Sequence, residues 1–383
     1  MKTCAVLGAT GSIGKSTLQL ASDHPELLNL QVLSAHRDRE GLLAAIEKHR
    51  PAKAWLTGAE WEEADRERAK KWECQLEDQP ELLKEELSSG VADVVIMGIA
   101  GAAGLEYGLS ALESGARLAM ANKEPLVIAG HCFHDAVEKH GGEIIPVDSE
   151  HSAIFQCLIG SSDDHVEKII LTSSGGPFHN RTSDFASISV NEALQHPTWS
   201  MGSKITIDSA TMMNKALEMI EARWLFGLPL EKIEVSIHRQ SIVHSMVEFI
   251  DGSVMAQMGV TDMQYPILYS ITHPNRCKSS LPRLRFDEVI NLSFEPVNPF
   301  LQQAIDLARA YGEDPVRTIY LNGANEVYVQ AFLDGKIGFE GIYGHLEEVI
   351  KEAGVHPSIP ETVSAVLGHD EHARSISHQI LGI

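Results

Sequence analysis

The sequence predicts an α/β protein in three parts: an N-terminal doubly wound parallel sheet, a middle α+β domain and a small helical C-terminal domain. Three observations carry this. Short apolar runs alternate with segments of helical period over the first 147 residues, a hairpin signal and further β-rich runs follow, and strand signals almost vanish after Pro299. At 383 residues the chain is also too long for one ordinary core.

In chain order, the strand-like runs of the first part are TCAVLG (3–8), LQVLSA (30–35), KAWLT (53–57), VADVVIMG (91–98), RLAMAN (117–122) and EIIPV (143–147). Helical segments between them imply βαβ units with helices on both faces of a parallel sheet. Residues 64–87 are densely charged and are expected as solvent-facing helix and loop. The middle part, 148–272, contains KIILTSSGGPF, KITID and KIEVSIH as further strand-like runs. It also contains IVHSMVEFI and SVMAQMG on either side of Asp251-Gly252, a strong hairpin signal. Between KITID and KIEVSIH, ATMMNKALEMIEARWLFG reads as a helix ended by Gly227 and Pro229. Residues 273–298 hold three prolines and little periodicity, as a linker would, and 299–383 hold helical segments.

The net charge of −22 opposes binding to nucleic acid or anionic membrane. A small anionic ligand in a cleft answers to local donors instead. Five scattered cysteines with no CxxC pair suit a reducing compartment, and no stretch approaches the about 18 apolar residues of a membrane span. A cytoplasmic protein is therefore expected.

Gly8-Ala9-Thr10-Gly11-Ser12-Ile13-Gly14 follows the first strand and opens a helix. Such a turn lets a backbone approach a pyrophosphate at a helix N-terminus, as in Rossmann-like domains. Ala9 to Ser16 also passes a relaxed P-loop pattern, which keeps a nucleotide hydrolase open, although dinucleotide binding explains all three glycines together. At the end of the second strand, His36-Arg37-Asp38 should lie near an adenosine ribose. Arg37 would favour a 2′-phosphate, whereas Asp38 suits a free hydroxyl.

Pro146-Val147-Asp148-Ser149-Glu150-His151 follows the last strand of the first part, and if extended it projects Asp148 and Glu150 from one face. Paired carboxylates suit Mg²⁺ or Mn²⁺ better than Zn²⁺. Taken alone, the four residues are an ordinary acidic turn. Downstream, Asn214 and Glu218 stand at i and i+4 with Lys215 beside them, on a helix that Asp208 or Ser209 would cap. Thr172 to Phe178 is a hydroxyl- and glycine-rich turn suited to phosphate, and Gln195 to Gly202 sets Trp199 and Met201 in a loop as core plug or lid.

GATGSIG, ANKEPLV (121–127), PVDSEHSAIFQ (146–156), LTSSGGPF (171–178) and HPTWSMGSKITIDSATMMNKALEMIEARWLF (196–226) occur in this order and spacing. Together they resemble the 1-deoxy-D-xylulose 5-phosphate reductoisomerase family over nearly the whole chain. The resemblance implies a homodimeric enzyme of the non-mevalonate isoprenoid pathway. It would rearrange and reduce its sugar phosphate to 2-C-methyl-D-erythritol 4-phosphate with NADPH and Mg²⁺, Mn²⁺ or Co²⁺. Carried over residue by residue, it implies metal ligation by Asp148, Glu150 and Glu218 and phosphate contacts from Ser174, Ser209, Asn214 and Lys215 with His196 nearby. Ser149 and Lys123 would contact the reacting carbons, and His151 would lie near metal and nicotinamide. Trp199 and Met201 would belong to a lid. On the cofactor side it implies Thr10, Gly11, Ser12 and Ile13, with Asn122, Glu124 and Gly202. The chain departs from the family pattern at His36-Arg37-Asp38, where Gly-X-Asn is usual, at Ser173, and at Pro125, which is able to begin a helix.

Overall fold

The computed structural model describes residues 1–199, 201–354 and 359–382. In chain order the elements are β1 (Lys2–Leu7), α1 (Ser12–Asp23), β2 (Leu28–Ala35), α2 (Arg39–His49), β3 (Lys53–Leu56), α3 (Glu63–Lys70), β4 (Gln75–Glu77), α4 (Pro80–Ser88), β5 (Val94–Met97), α5 (Leu105–Glu113), β6 (Arg117–Met120), α6 (Glu124–His140), β7 (Glu143–Pro146) and α7 (Ser149–Cys157). There follow β8 (Val166–Ser173), α8 (Val190–Ala193), α9 (Ser203–Ala210), α10 (Met213–Phe226), β9 (Ile233–Ile237), β10 (Val243–Phe249), β11 (Val254–Met258), α11 (Gln264–Thr272), α12 (Gln302–Tyr311), α13 (Pro315–Leu333), α14 (Gly341–Gly344), α15 (Leu346–Glu352) and α16 (Val363–Leu381). By compactness the chain divides into Met1–Pro125 with His131–Ser152 and Asp262–Leu281, and Leu126–Gly130 with Ala153–Thr261 and Pro282–Ile383.

The first unit is built on a seven-stranded parallel sheet of order β4-β3-β2-β1-β5-β6-β7. The six apolar runs form strands because helices cover both faces: every residue of β5 and β6 is buried, and β1 is buried from Cys4 to Leu7. Strand order reverses between β1 and β5. The carboxyl ends of these two strands therefore open the crevice where doubly wound sheets take their ligands. The charged stretch 64–87, expected as helix and loop, also contributes β4 at the sheet edge. Its three residues are too few and too polar to show an apolar pattern. Helix α11, far along the chain, buries Ile267, Leu268 and Ile271 in this unit's core. Arg117 fastens it by donating from Nη1 to the Ser270 and Ile271 carbonyls at 3.0 and 3.2 Å.

In the second unit a four-stranded sheet runs β11-β10-β8-β9, with β8 and β9 parallel and the other pairs antiparallel. Asp251-Gly252 turns the β10–β11 hairpin as its sequence requires, Gly252 taking a φ of 81°. Helix α10 is buried along most of its length, and α13 is enclosed by other helices of the unit. Arg374 on α16 is clamped at 2.6 Å to Glu326 of α13 and to Asp370 of its own helix. KITID, read from sequence as a strand, is helical within α9. Its alternating β-branched residues give way because Thr206, Ile207, Asp208 and Ala210 bury a helical face, and Lys204 pairs with Asp208 one turn on. No helix among the described residues is long and apolar enough to cross a membrane.

Candidate functional site

At the end of β1 the chain turns through Gly8 with a φ of 78°, and the Gly11 amide donates to the Gly8 carbonyl at 3.0 Å. A side chain is excluded twice: a Cβ on Gly8 would lie 2.6 Å from the Gly98 carbonyl, and one on Gly14 would lie 2.3 Å from the Gly8 carbonyl. Helix α1 starts at Ser12 and receives no side-chain cap from Gly11. Its first amides, beside Thr10, Gly11, Ser12 and Ile13, thus face an anion-binding turn as donors.

The residues after β2 have separate local roles. Asp38 is the N-cap of α2, its Oδ1 accepting from the Gly41 amide at 3.0 Å. His36 packs its ring on Gly58 and places Nδ1 3.3 Å from the Thr57 hydroxyl. Arg39 is taken by Glu62 and by Asp65 at 3.5 Å. Arg37 is exposed and forms no ion pair among the described residues. Of the two opposed signals, the cation is available and the carboxylate is committed to the helix.

Asn122, after β6, donates to the Gly101 carbonyl at 3.4 Å, and Lys123 and Glu124 lead into α6 with Pro125 in its first turn. Lys123 is buried and sets its Nζ 2.9 Å from Asp148 Oδ2. Asp148 and Glu150 are not extended, as the alternation suggested: α7 begins at Ser149. Asp148 Oδ1 accepts from the Glu150 amide at 3.2 Å and lies 3.2 Å from Nδ1 of the fully buried His151. The helical start thus returns His151 at i+3 to Asp148 and still leaves the Glu150 carboxylate within 4.8 Å of it, so the two carboxylates converge as expected though not by strand alternation. Ser149 donates its hydroxyl to Glu150.

In the second unit, β8 ends in Ser173-Ser174-Gly175-Gly176, both glycines at positive φ. Ser173 stands where a smaller residue is usual, and its hydroxyl is accommodated by the Gly175 amide, which donates to it at 3.1 Å. His196 Nδ1 accepts from the Thr198 and Trp199 amides at 3.2 and 2.9 Å. A neutral ring accepting at Nδ1 carries its proton on Nε2, so Nε2 donates to Ser174 Oγ across 3.2 Å. Trp199 and Met201 are half-buried beyond it, Ser200 lies outside the described residues, and Gly202 is the N-cap of α9.

Ser209 lies inside α9, not at the start of α10. Neither Asp208 nor Ser209 caps α10: that helix begins after Met212, whose φ of 59° turns the chain between the two helices. Asn214 and Lys215 occupy its first turn and both donate to Glu218, and Lys215 and Glu218 are buried. Sequence reasoning missed Glu221, fully buried one turn beyond Glu218. Its position three residues on was the available signal. The cysteines offer no competing chemistry, since burial pushes the Cys4 thiol up to about 12 and that of Cys157 to about 11.

Three family models match the chain: 1-deoxy-D-xylulose 5-phosphate reductoisomerase over residues 4–130, the C-terminal domain described by that name over 144–226, and the DXP reductoisomerase C-terminal domain over 258–376. The 1-deoxy-D-xylulose 5-phosphate reductoisomerase of Chlorobaculum tepidum is 45% identical over 395 residues, covering 100% of both proteins. That of Geobacter metallireducens is 45% identical over 396 residues with the same coverage. Among solved structures, the Zymomonas mobilis enzyme in complex with NADPH matches with a TM-score of 0.92 and 38% identity over 99% of each chain. A DOX-P reductoisomerase in complex with NADPH, fosmidomycin and magnesium matches with a TM-score of 0.90 and 35% identity, over 100% of this chain and 98% of that one.

Removal of the α2 cap tests the assignment of Asp38. Asp38→Ala is expected to lower the unfolding free energy by about 1 kcal/mol. An unchanged denaturation midpoint would show that the carboxylate is not committed to the helix.

Proposed function

Because the chain belongs to the 1-deoxy-D-xylulose 5-phosphate reductoisomerase family, we propose that it converts 1-deoxy-D-xylulose 5-phosphate to 2-C-methyl-D-erythritol 4-phosphate, using NADPH and a divalent cation, in the non-mevalonate route to isoprenoid precursors. The observation that carries this reading is 45% identity over the full length of relatives bearing that activity's name. Family membership leaves the nucleotide hydrolase without support.

The donor set fits a hard cation. Asp148, Glu150 and Glu218 supply only carboxylate oxygens, which suits Mg²⁺ or Mn²⁺, and no thiol joins them. Such an ion, held there, would polarise the substrate ketone and favour ionisation of a neighbouring hydroxyl. NADPH would supply the hydride for the reduction.

The remaining work falls to the chain's own side chains. Lys123 pairs with Asp148 at 2.9 Å and, with Ser149, would orient the reacting carbons. His151 would hold the same carboxylate from its other side. Ser174, Ser209, Asn214, Lys215 and His196 would hold the phosphate: Lys215 contributes the charge, the first turn of α10 its amides, and His196 an Nε2–H donor. Trp199 and Met201 would close over the sugar and exclude water. On the cofactor, Gly8 to Ile13 would hold the pyrophosphate, with Asn122, Glu124 and Gly202 toward the nicotinamide. Arg37 would pair with the 2′-phosphate beside His36, while Asp38 stays on α2.

A homodimer belongs to this reading. The edge strand β11 exposes Val254 and Met255, and Phe286 and Val289 are 73% and 89% exposed. The outer edge of such a strand and apolar side chains of that kind are the surface we assign to a second copy. All five cysteines are free thiols, which suits a cytoplasmic location.

Two substitutions test the proposal. Glu218→Gln is expected to reduce turnover by more than the roughly 100-fold that loss of an outer-sphere metal partner costs, with NADPH binding retained in a fluorescence titration. Normal turnover in that variant would remove Glu218 from the metal set. Arg37→Ala is expected to raise the KM for NADPH about tenfold, the equivalent of one charge-assisted contact, and to leave that for NADH unchanged. A parallel rise for both cofactors would show that Arg37 does not read the 2′-phosphate.

A further inference from the structure

The last turn of α9 is held from behind by a buried carboxylate to which the reaction as described assigns no role. Asp208 is 2% exposed. Its Oδ1 accepts from Asn325 Nδ2 of α13 at 2.9 Å, and its Oδ2 lies 2.7 Å from Lys204 Nζ, one turn earlier on α9. Asn325 is fully buried, so the bond is a core contact between elements 117 residues apart. A carboxylate out of water is costly unless its charge and lone pairs are met, and here an ammonium and an amide meet them. The result is a clamp between α9 and α13 at one point.

What the clamp supports begins one residue later. The Ser209 carbonyl approaches Gly176 so closely that a Cβ there would lie 2.7 Å from it. The turn after β8 and the end of α9 therefore pack backbone against backbone. Two residues on, the Thr211 carbonyl accepts from the Tyr343 hydroxyl, which burial keeps protonated by pushing its pKa far above the ordinary tyrosine value. Met212 then turns the chain into the α10 residues Asn214 and Lys215. Ser209, the Ser174 turn and the start of α10 share one support, and Asp208 is its charged anchor.

Resting on the phosphate reading of Ser209, Asn214 and Lys215, we propose that Asp208, held by Asn325 and Lys204, is a positioning residue for the phosphate end of the substrate. It sets where the Ser209 hydroxyl stands relative to Ser174. Its loss misplaces phosphate donors without touching the nicotinamide end.

The test is steady-state kinetics of the full-length enzyme with 1-deoxy-D-xylulose 5-phosphate, NADPH and Mg²⁺, comparing wild type, Asn325→Ala, and the exchange Asp208→Asn with Asn325→Asp. Asn325→Ala is expected to raise the KM for the sugar phosphate about tenfold, as for one weakened bond to a charged group, with the KM for NADPH within about twofold and kcat little changed. The exchange rebuilds the hydrogen bond with donor and acceptor reversed and is expected to recover most of the loss. An unchanged sugar-phosphate KM in Asn325→Ala overturns the proposal. So does a parallel rise of both KM values with a fall in kcat and melting temperature that the exchange fails to rescue, because that is a purely structural role. Should Asn325→Ala not fold, Lys204→Ala reads the same split through the half-buried end of the clamp. A wild-type enzyme inert toward the sugar phosphate overturns the phosphate reading itself, and this assignment with it.

Discussion

Three buried carboxylates, each matched to a lysine of its own neighbourhood, are the constraint on which the rest depends. Asp148 has Lys123, Glu218 has Lys215 and Asp208 has Lys204. An isolated carboxylate in such a place would take up a proton, and a protonated acid is a poor ligand for a hard cation. The lysines meet that charge and aim the oxygens. They also fix local geometry: the Lys123–Asp148 pair joins the end of β6 to the start of α7, and the Lys215–Glu218 pair orders the first turn of α10. Two of these carboxylates serve the proposed metal. The third serves the support beneath the phosphate donors.

A chain with a net charge of −22 that takes two anionic ligands meets the contradiction locally. Its proposed anion-binding elements are chiefly backbone: the glycine turn into α1, the positive-φ glycines after β8, and the first turn of α10. Amides at such ends carry partial positive charge over a few ångströms, and in the proposed reading one cation at each end, Arg37 or Lys215, would complete the field. Beyond a Debye length the acidic surface is screened and matters little.

How much of this the sequence shows depends on whether local pattern and tertiary demand agree. Strands β1, β5 and β6 are buried on both faces and read as unbroken apolar runs, and Asp251-Gly252 marks its hairpin without help from the rest of the chain. Strand β4 is three residues at a sheet edge and leaves no such trace. KITID alternates like a strand, yet becomes helical because burial of Ile207 and Asp208 and the Lys204–Asp208 contact require a helical spacing. Asp148 and Glu150 appeared paired by alternation; their carboxylates do converge, within 4.8 Å, but through the start of helix α7 and not along a strand, and the same helix also brings His151 to Asp148. Arg37 and Asp38 gave opposed signals on the ribose, and the sequence could not show that Asp38 caps α2 through the Gly41 amide, a contact made only once the helix forms. Asn325 was invisible, since nothing local distinguishes a buried amide that serves a residue far along the chain.

The central claim is that this chain couples a divalent cation and a reduced nicotinamide to one phosphorylated sugar. Consumption of NADPH in the presence of 1-deoxy-D-xylulose 5-phosphate and Mg²⁺, followed by the absorbance of the reduced nicotinamide, tests it most directly, with omission of each component and addition of EDTA as controls. The account requires oxidation that needs both sugar phosphate and cation and that EDTA abolishes. Folded, metal-supplemented protein that leaves NADPH untouched, or that oxidises it equally well in EDTA, would contradict it.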